Sequence, residues 1–346
     1  MIKTFVTSII ACVLGCQVYA QSIHLSQFYN APMLITPANT GLMPENDFRL
    51  GLNYRNQWAA LPVPYNTFSG WGDFKIGGNK ERERTNWLGL GFAIYNDKAG
   101  DGQLALTQLQ ASIAYHLQTG NSSMISVGGS FARVNRSLDF NRLIFDNQWT
   151  GISFNTNLQT GEPVGILRDN YNTVGAGINF AYFPNEGLYL KIGAGAVNIN
   201  RPVESFYNNN SDANIIKMRP SATIDAFIRT GDVFIINPSA YYTTQSGAAE
   251  IVAGTLLRTI LSNANNGGTP IELIFGGYYR VGDAIIGAAG LQVGNIQFMA
   301  SYDATLSGLG PYNNSYGALE FSLIYQGQYR SNNGKVKSSY SCPRFN

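Results

Sequence analysis

Two histidines, His24 and His116, and three cysteines, Cys12, Cys16 and Cys342, limit the chemistry these side chains can perform. The histidines are far apart, and neither has a thiol or a second imidazole at ligand spacing, so both read as solvated or lumen-facing rather than metal-bound. Serines and aspartates are plentiful. No stretch resembles a nucleophile elbow, and only His116 is on offer as a base, so a hydrolase reading has little to stand on. Gly175-Ala176-Gly177 and Gly193-Ala194-Gly195 look like pieces of a nucleotide-binding loop. Both lie inside alternating stretches with no helix after them, which suits close backbone approach in a sheet instead. The run from Tyr207 to Asp212 reads as a polar loop tip. These residues predict a protein that is not an enzyme and has no cofactor and no metal.

The elements that would position such residues are strands. From Phe48 to Trp58, apolar or aromatic residues mostly alternate with polar ones or Gly, and a period of two puts Phe48, Leu50, Leu52, Tyr54 and Trp58 on one face. The pattern recurs in fourteen stretches: 48–58, 67–76, 87–95, 106–117, 124–134, 173–183, 188–199, 220–229, 233–243, 249–261, 271–280, 284–293, 296–304 and 317–326. Outward sets would include Leu88, Leu90, Phe92 and Ile94; Leu109, Ile113 and Tyr115; Val174, Ile178 and Phe180; and Leu319, Phe321 and Leu323. The other phase carries the charge, and predicts lumen-facing Arg49, Arg55, Lys75, Gln110, Lys191, Asp225, Arg229, Glu272, Arg280 and Glu320, together with Asp73, Gln108, His116, Arg258 and Asp303. A cation facing lipid near the midplane costs roughly 2–4 kcal/mol, so this segregation is an energetic requirement.

Composition points the same way. Charged residues are 13% of the 346, while Gly (38), Tyr (20) and Phe (19) are abundant, as a wall facing lipid requires. The net charge of +2 is too small and dispersed to make nucleic acid the partner. The fold class expected is therefore all-β: a transmembrane antiparallel β-barrel of about fourteen strands, with long extracellular loops and short periplasmic turns. An even strand number predicts both chain ends on the periplasmic side. Some tight turns fall where outer loops belong, which leaves one or two strands open to reassignment.

The chain divides into four parts. Residues 1–20 read as a cleaved signal peptide, with Lys3, an apolar stretch from Phe5 to Leu14 and small residues ahead of Gln21; lipidation at Cys16 in Val13-Leu14-Gly15-Cys16 is the competing reading. Residues 21–47 carry two prolines and little alternation, and predict a segment in the lumen or under the barrel floor. Residues 48–327 form the barrel, and 328–346 a periplasmic tail. Within that tail Tyr340, Cys342, Pro343, Arg344 and Phe345 form a candidate partner-docking group. The long connection Asn135–Asn172 holds Phe140, Phe145, Trp149, Ile152 and Phe154, and is expected to fold over the barrel mouth as a lid or to meet a partner directly.

Several blocks resemble the PorP/SprF family of type IX secretion system outer-membrane proteins. They are Ser26-Gln27-Phe28-Tyr29-Asn30-Ala31-Pro32, Pro37-Ala38-Asn39-Thr40-Gly41, Tyr54-Arg55-Asn56-Gln57-Trp58, Leu143-Ile144-Phe145-Asp146-Asn147-Gln148 and Ser341-Cys342-Pro343-Arg344-Phe345. The resemblance covers nearly the whole mature chain and implies an integral outer-membrane barrel serving protein secretion and, in some bacteria, gliding motility. It also implies partners: secreted adhesin-type proteins with a C-terminal sorting domain, and periplasmic secretion or peptidoglycan-linked components. A general solute-diffusing porin is the alternative that the polar inward face suggests.

Overall fold

The computed structural model describes residues 25–43, 46–59, 64–77, 86–162, 165–206, 214–262, 269–308 and 310–329. Fourteen strands follow in order: β1 (Phe48–Gln57), β2 (Tyr65–Ile76), β3 (Trp87–Ala99), β4 (Leu104–Gln118), β5 (Ser123–Asp139), β6 (Ile166–Asn185) and β7 (Leu188–Val197), then β8 (Arg219–Thr230), β9 (Phe234–Gln245), β10 (Ala248–Ser262), β11 (Ile271–Arg280), β12 (Ala284–Val293), β13 (Ile296–Thr305) and β14 (Tyr316–Gly327). Each pairs antiparallel with its neighbour in sequence, and β1 pairs with β14 from Phe48↔Gly327 to Gln57↔Ala318, closing a barrel. Closure pairs the backbone groups that an open sheet edge would leave unsatisfied in hydrocarbon. No helix among the described residues is long and apolar enough to cross a membrane.

The alternation does what hydrocarbon demands. Leu50, Leu52 and Tyr54 on β1, Phe92 and Ile94 on β3, and Leu109, Ile113 and Tyr115 on β4 are all exposed on the outer wall, Phe92 by 63%. Residues one position away are buried inside, among them Arg55, Asp73, His116, Arg280, Asp303 and Glu320. All fourteen expected strands are present, and the tight turns simply occur at both ends of the barrel. At Ser246-Gly247 both residues adopt positive φ, as a two-residue hairpin turn requires.

Two sequence expectations need correction. The strands β5 and β6 run to 17 and 20 residues, well past the roughly 9–11 needed to span, so both ends of the expected loop, 135–139 and 166–172, are strand. The hairpin projects roughly 20 Å beyond the apolar band, at the usual rise per residue. Its alternation was masked because both faces there meet water, and polar residues such as Arg136, Asp169 and Asn170 sit in both phases. The second correction concerns the N-terminal end. An even strand count places the start of β1 and the end of β14 together, and the segment before β1 lies in the lumen, one of the two places its sequence allows. It forms short helical turns at Phe28–Asn30, Pro32–Ile35 and Pro37–Asn39. Leu42 packs beside Trp87 at the turn end of β2 and β3, whereas Ser26 contacts Arg55, Arg280 and Asp303 near the opposite mouth. Residue 25 and residue 48 are therefore at opposite ends.

Candidate functional site

The lumen is occupied by the strap Leu25–Met43, held by three layers of contact. In the upper layer Ser26 Oγ donates to Asp303 Oδ2 (2.7 Å) and accepts from the guanidinium groups of Arg55 and Arg280 (3.0 Å for Arg280). The amides of Ser26 and Gln27 donate to the two oxygens of Glu320, at 2.8 and 3.1 Å. Arg55 in turn bridges Asp303 (3.0 Å) and Glu320 (3.1 Å), and Arg280 bridges Asp303 (2.9 Å) and Glu250 (3.1 Å). These groups are buried, and charge buried in a lumen survives only when paired and hydrogen-bonded. The strap's first turn thus completes an ion network supplied by β1, β10, β11, β13 and β14.

The middle layer is apolar. Phe28 stacks on Tyr241 (centroids 5.6 Å) and meets Tyr278 edge-on (5.7 Å), within a cluster that includes Val252, Leu256, Ile274, Ile286 and Met299. On the other side Leu25, Ala31, Met33 and Leu34 pack with Trp71, Ala93 and Tyr95. Sequence reading missed these inward apolar residues of β10 to β13. The available signal was the loss of clean alternation there, as in Ile271-Glu272-Leu273-Ile274-Phe275, which marks a strand buried on both faces.

In the lower layer the Gly41 amide donates to Asp73 Oδ2 (2.7 Å), which also pairs with Arg49 (2.6 Å). Trp87 Nε1 donates to the Gly41 carbonyl at 2.8 Å. His116 is buried with Nε2 2.8 Å from the Thr40 carbonyl and Nδ1 2.7 Å from Ser126 Oγ, so it holds strap to wall. Asn39 Oδ1 accepts from Asn179 (2.9 Å) and Lys191 (3.2 Å), and Lys191 pairs with Asp225 at 3.2 Å. Glycines admit the strap backbone: a Cβ on Gly89 would overlap the Thr40 carbonyl, and one on Gly177 would overlap Thr36 Oγ1.

Other expected lumen residues fall into the same scheme. Gln110 donates to the Met33 carbonyl (3.3 Å), Lys75 lies 4.2 Å over the Trp87 ring, and Glu272 pairs with Arg258 at 3.4 Å. Arg229 shares the inward phase of Asp225 and Phe227 at the turn end of β8. Among the described residues no group of three His, Cys, Asp or Glu side chains is placed to hold a metal. Tyr340, Cys342, Pro343, Arg344 and Phe345 lie outside the described residues, as do residues 1–24 with Gln21 and Cys16.

The second feature is the tip of the β5–β6 hairpin. Gln148 is buried beneath it, accepting from the Phe145 amide (3.1 Å) and donating to the carbonyls of Thr156 (3.4 Å) and Leu158 (3.2 Å). This gives residues 145–158 a built shape. Trp149 packs on Phe154 (4.9 Å) and Phe140 on Phe145 (6.1 Å), so four of the loop's aromatics pair with one another. Ile152 between them is 89% exposed. Arg136 pairs with Glu204 (3.4 Å) and the Ser205 amide donates to Asp169 (2.6 Å), tying the β7–β8 connection to the hairpin's flank.

A family model described as "Type IX secretion system membrane protein PorP/SprF" matches residues 17–325. No curated protein sequence matches the chain. Solved structures similar in fold include a Pseudomonas aeruginosa FadL homologue (10% identity, 85% of this chain and 93% of that one, TM-score 0.50) and the Ralstonia pickettii toluene transporter TbuX (12%, 87% and 94%, 0.52). Another is a TodX deltaS2S3 mutant monoaromatic hydrocarbon channel (9%, 87% and 94%, 0.53). At such identities the likeness is one of barrel architecture.

Proposed function

This chain belongs to the PorP/SprF family of type IX secretion system membrane proteins, an outer-membrane barrel, and we propose that it docks secreted adhesin-type proteins at the cell surface without covalent chemistry. The observation that carries this reading is the division of labour in the barrel. The lumen is filled by Leu25–Met43, while a shaped loop with exposed Trp149, Ile152 and Phe154 stands beyond the membrane on the side of the long connections. Exposed aromatic and branched residues on a rigid mount are what a protein partner buries as anchors. The cargo would be recognised by its C-terminal sorting domain, and it would be delivered or anchored there, with gliding motility as the use where the bacterium glides. The tail residues Tyr340 to Phe345 would contact periplasmic secretion or peptidoglycan-linked components.

The test is capture of a purified C-terminal sorting domain by the full-length protein in detergent. Replacing Trp149, Ile152 and Phe154 together by Ser lowers affinity about a hundredfold, at about 1 kcal/mol or more per anchor. Unchanged capture would rule out this loop as the docking surface. Crosslinking from Cys342 in intact envelopes tests the periplasmic contact. Planar-bilayer recording separates docking from the porin alternative: a steady open conductance of the wild-type chain favours diffusion. Esterase turnover that is lost on His116→Ala would favour a hydrolase.

A further inference from the structure

On the outer wall, β1 to β5 carry a shallow, open depression of about 650 Å³ in the apolar band. Its floor is Gly70, Gly72 and Ala111, with the Leu50 side chain leaning over Gly72; Phe92 and Phe131 flank it, and Arg133 stands at one end. Neighbouring strands put large residues at these outward positions, so the hollow is local. Arg133 lies about ten residues up β5 from Ser123, which is roughly 25 Å along the barrel axis at the usual rise and tilt. That height is the edge of the hydrocarbon. The wall turns polar there, with outward pairs Asn96–Thr107 (2.7 Å), Asn135–Asn170 (2.6 Å) and Arg133–Asn172 (3.1 Å).

Arg133 spends one N–H on Asn172, and a guanidinium has five. Two further exposed cations, Lys98 and Arg168, share its outward phase farther up β3 and β6. Among the described residues none of the three has a carboxylate partner. We propose that this groove holds one phosphate-bearing acylated lipid of the outer leaflet, with acyl chain over Gly70, Gly72 and Ala111 and phosphate on Arg133. A cation at the end of an apolar trough, level with the headgroups, complements an amphiphile of that charge and shape. A protein strand or helix would not call for the cation, and a neutral lipid would leave it unanswered.

Native mass spectrometry of the full-length protein in non-ionic detergent tests the assignment, with diphosphoryl lipid A, the same lipid dephosphorylated, and inorganic phosphate as probes. Wild type retains one diphosphoryl lipid A per barrel about tenfold more tightly than the dephosphorylated form, the worth of one charged hydrogen-bonded contact. Arg133→Gln brings the two lipids to equal retention. Ala111→Trp fills the trough and weakens both, whereas Ile285→Trp, at an exposed position on β12, changes neither. Heat-shifted gel mobility verifies that each variant is folded, and Arg133→Gln alone decides if Ala111→Trp is not. Equal retention of both lipids by wild type, no effect of Arg133→Gln, saturation by inorganic phosphate alone, or a lipid-free dimer joined through this wall would each overturn the assignment.

Discussion

Arg55, like Arg280, touches strap and wall together: its guanidinium meets Ser26, Asp303 and Glu320. Truncating one member of a buried ion network leaves the others uncompensated, so Arg55→Leu should cost about 3–5 kcal/mol. The measurement is the temperature at which the folded band is lost on semi-native gels. Adding Asp303→Asn should return part of the loss, since the pair is coupled rather than additive. Tyr29 predicts the opposite sign. Its hydroxyl is buried with no hydrogen-bond partner among the described residues, although the ring stacks on Tyr278 at 5.3 Å. Tyr29→Phe should therefore be neutral or stabilising by about 1 kcal/mol, and a clear loss on the same gels would reveal a hidden partner.

At the level of elements, the period of two made every spanning strand legible, because one wrong-facing charge in lipid is expensive enough to discipline the pattern. Where lipid ends, that discipline ends. The upper halves of β5 and β6 carry Arg136, Asp169 and Asn170 in strands that hydrocarbon does not constrain, and so they read as loop. The strap was legible only as something other than a spanning strand: its turns are too short to show a helical period, and its apolar partners Val252, Leu256, Ile274 and Ile286 come from strands more than two hundred residues away. Its packing gives a direct prediction. Gly89→Val drives a side chain into the Thr40 carbonyl, and overpacking of this kind costs typically 1–3 kcal/mol. With Cys342→Ser as background, a cysteine introduced by Asn39→Cys should react with a water-soluble maleimide when Gly89→Val is present and resist it otherwise. Equal reactivity in both would mean that the strap tolerates the intrusion in place.

For the whole molecule, the barrel wall and its filling are separable claims. A fourteen-stranded ring is wide enough for a polar lumen, since about eight strands already enclose a cavity filled by side chains. What occupies that width is the strap. Deleting residues 25–43 should convert a silent barrel into one with measurable conductance in planar bilayers, while the heat-shifted gel band shows that the ring still closes. A deleted barrel that stays silent would locate the blockage in the wall's own side chains. The charged lumen residues were readable as a class from their phase; which of them would face Ser26, Gln27, Asn39 or Gly41 was not. That assignment depends on the strap's path, and no short-range pattern encodes it.

The path of the strap also constrains how the protein can be made. Residues 25–43 run from one mouth to the other inside a ring whose first and last strands are hydrogen-bonded across ten residue pairs. A chain cannot enter a finished ring sideways. Either the N-terminal residues are already nested against the curling sheet when β1 meets β14, or the leading end is drawn through the opening afterwards, and the first order of events makes the strap a template on which the last ribbon pair is zipped shut.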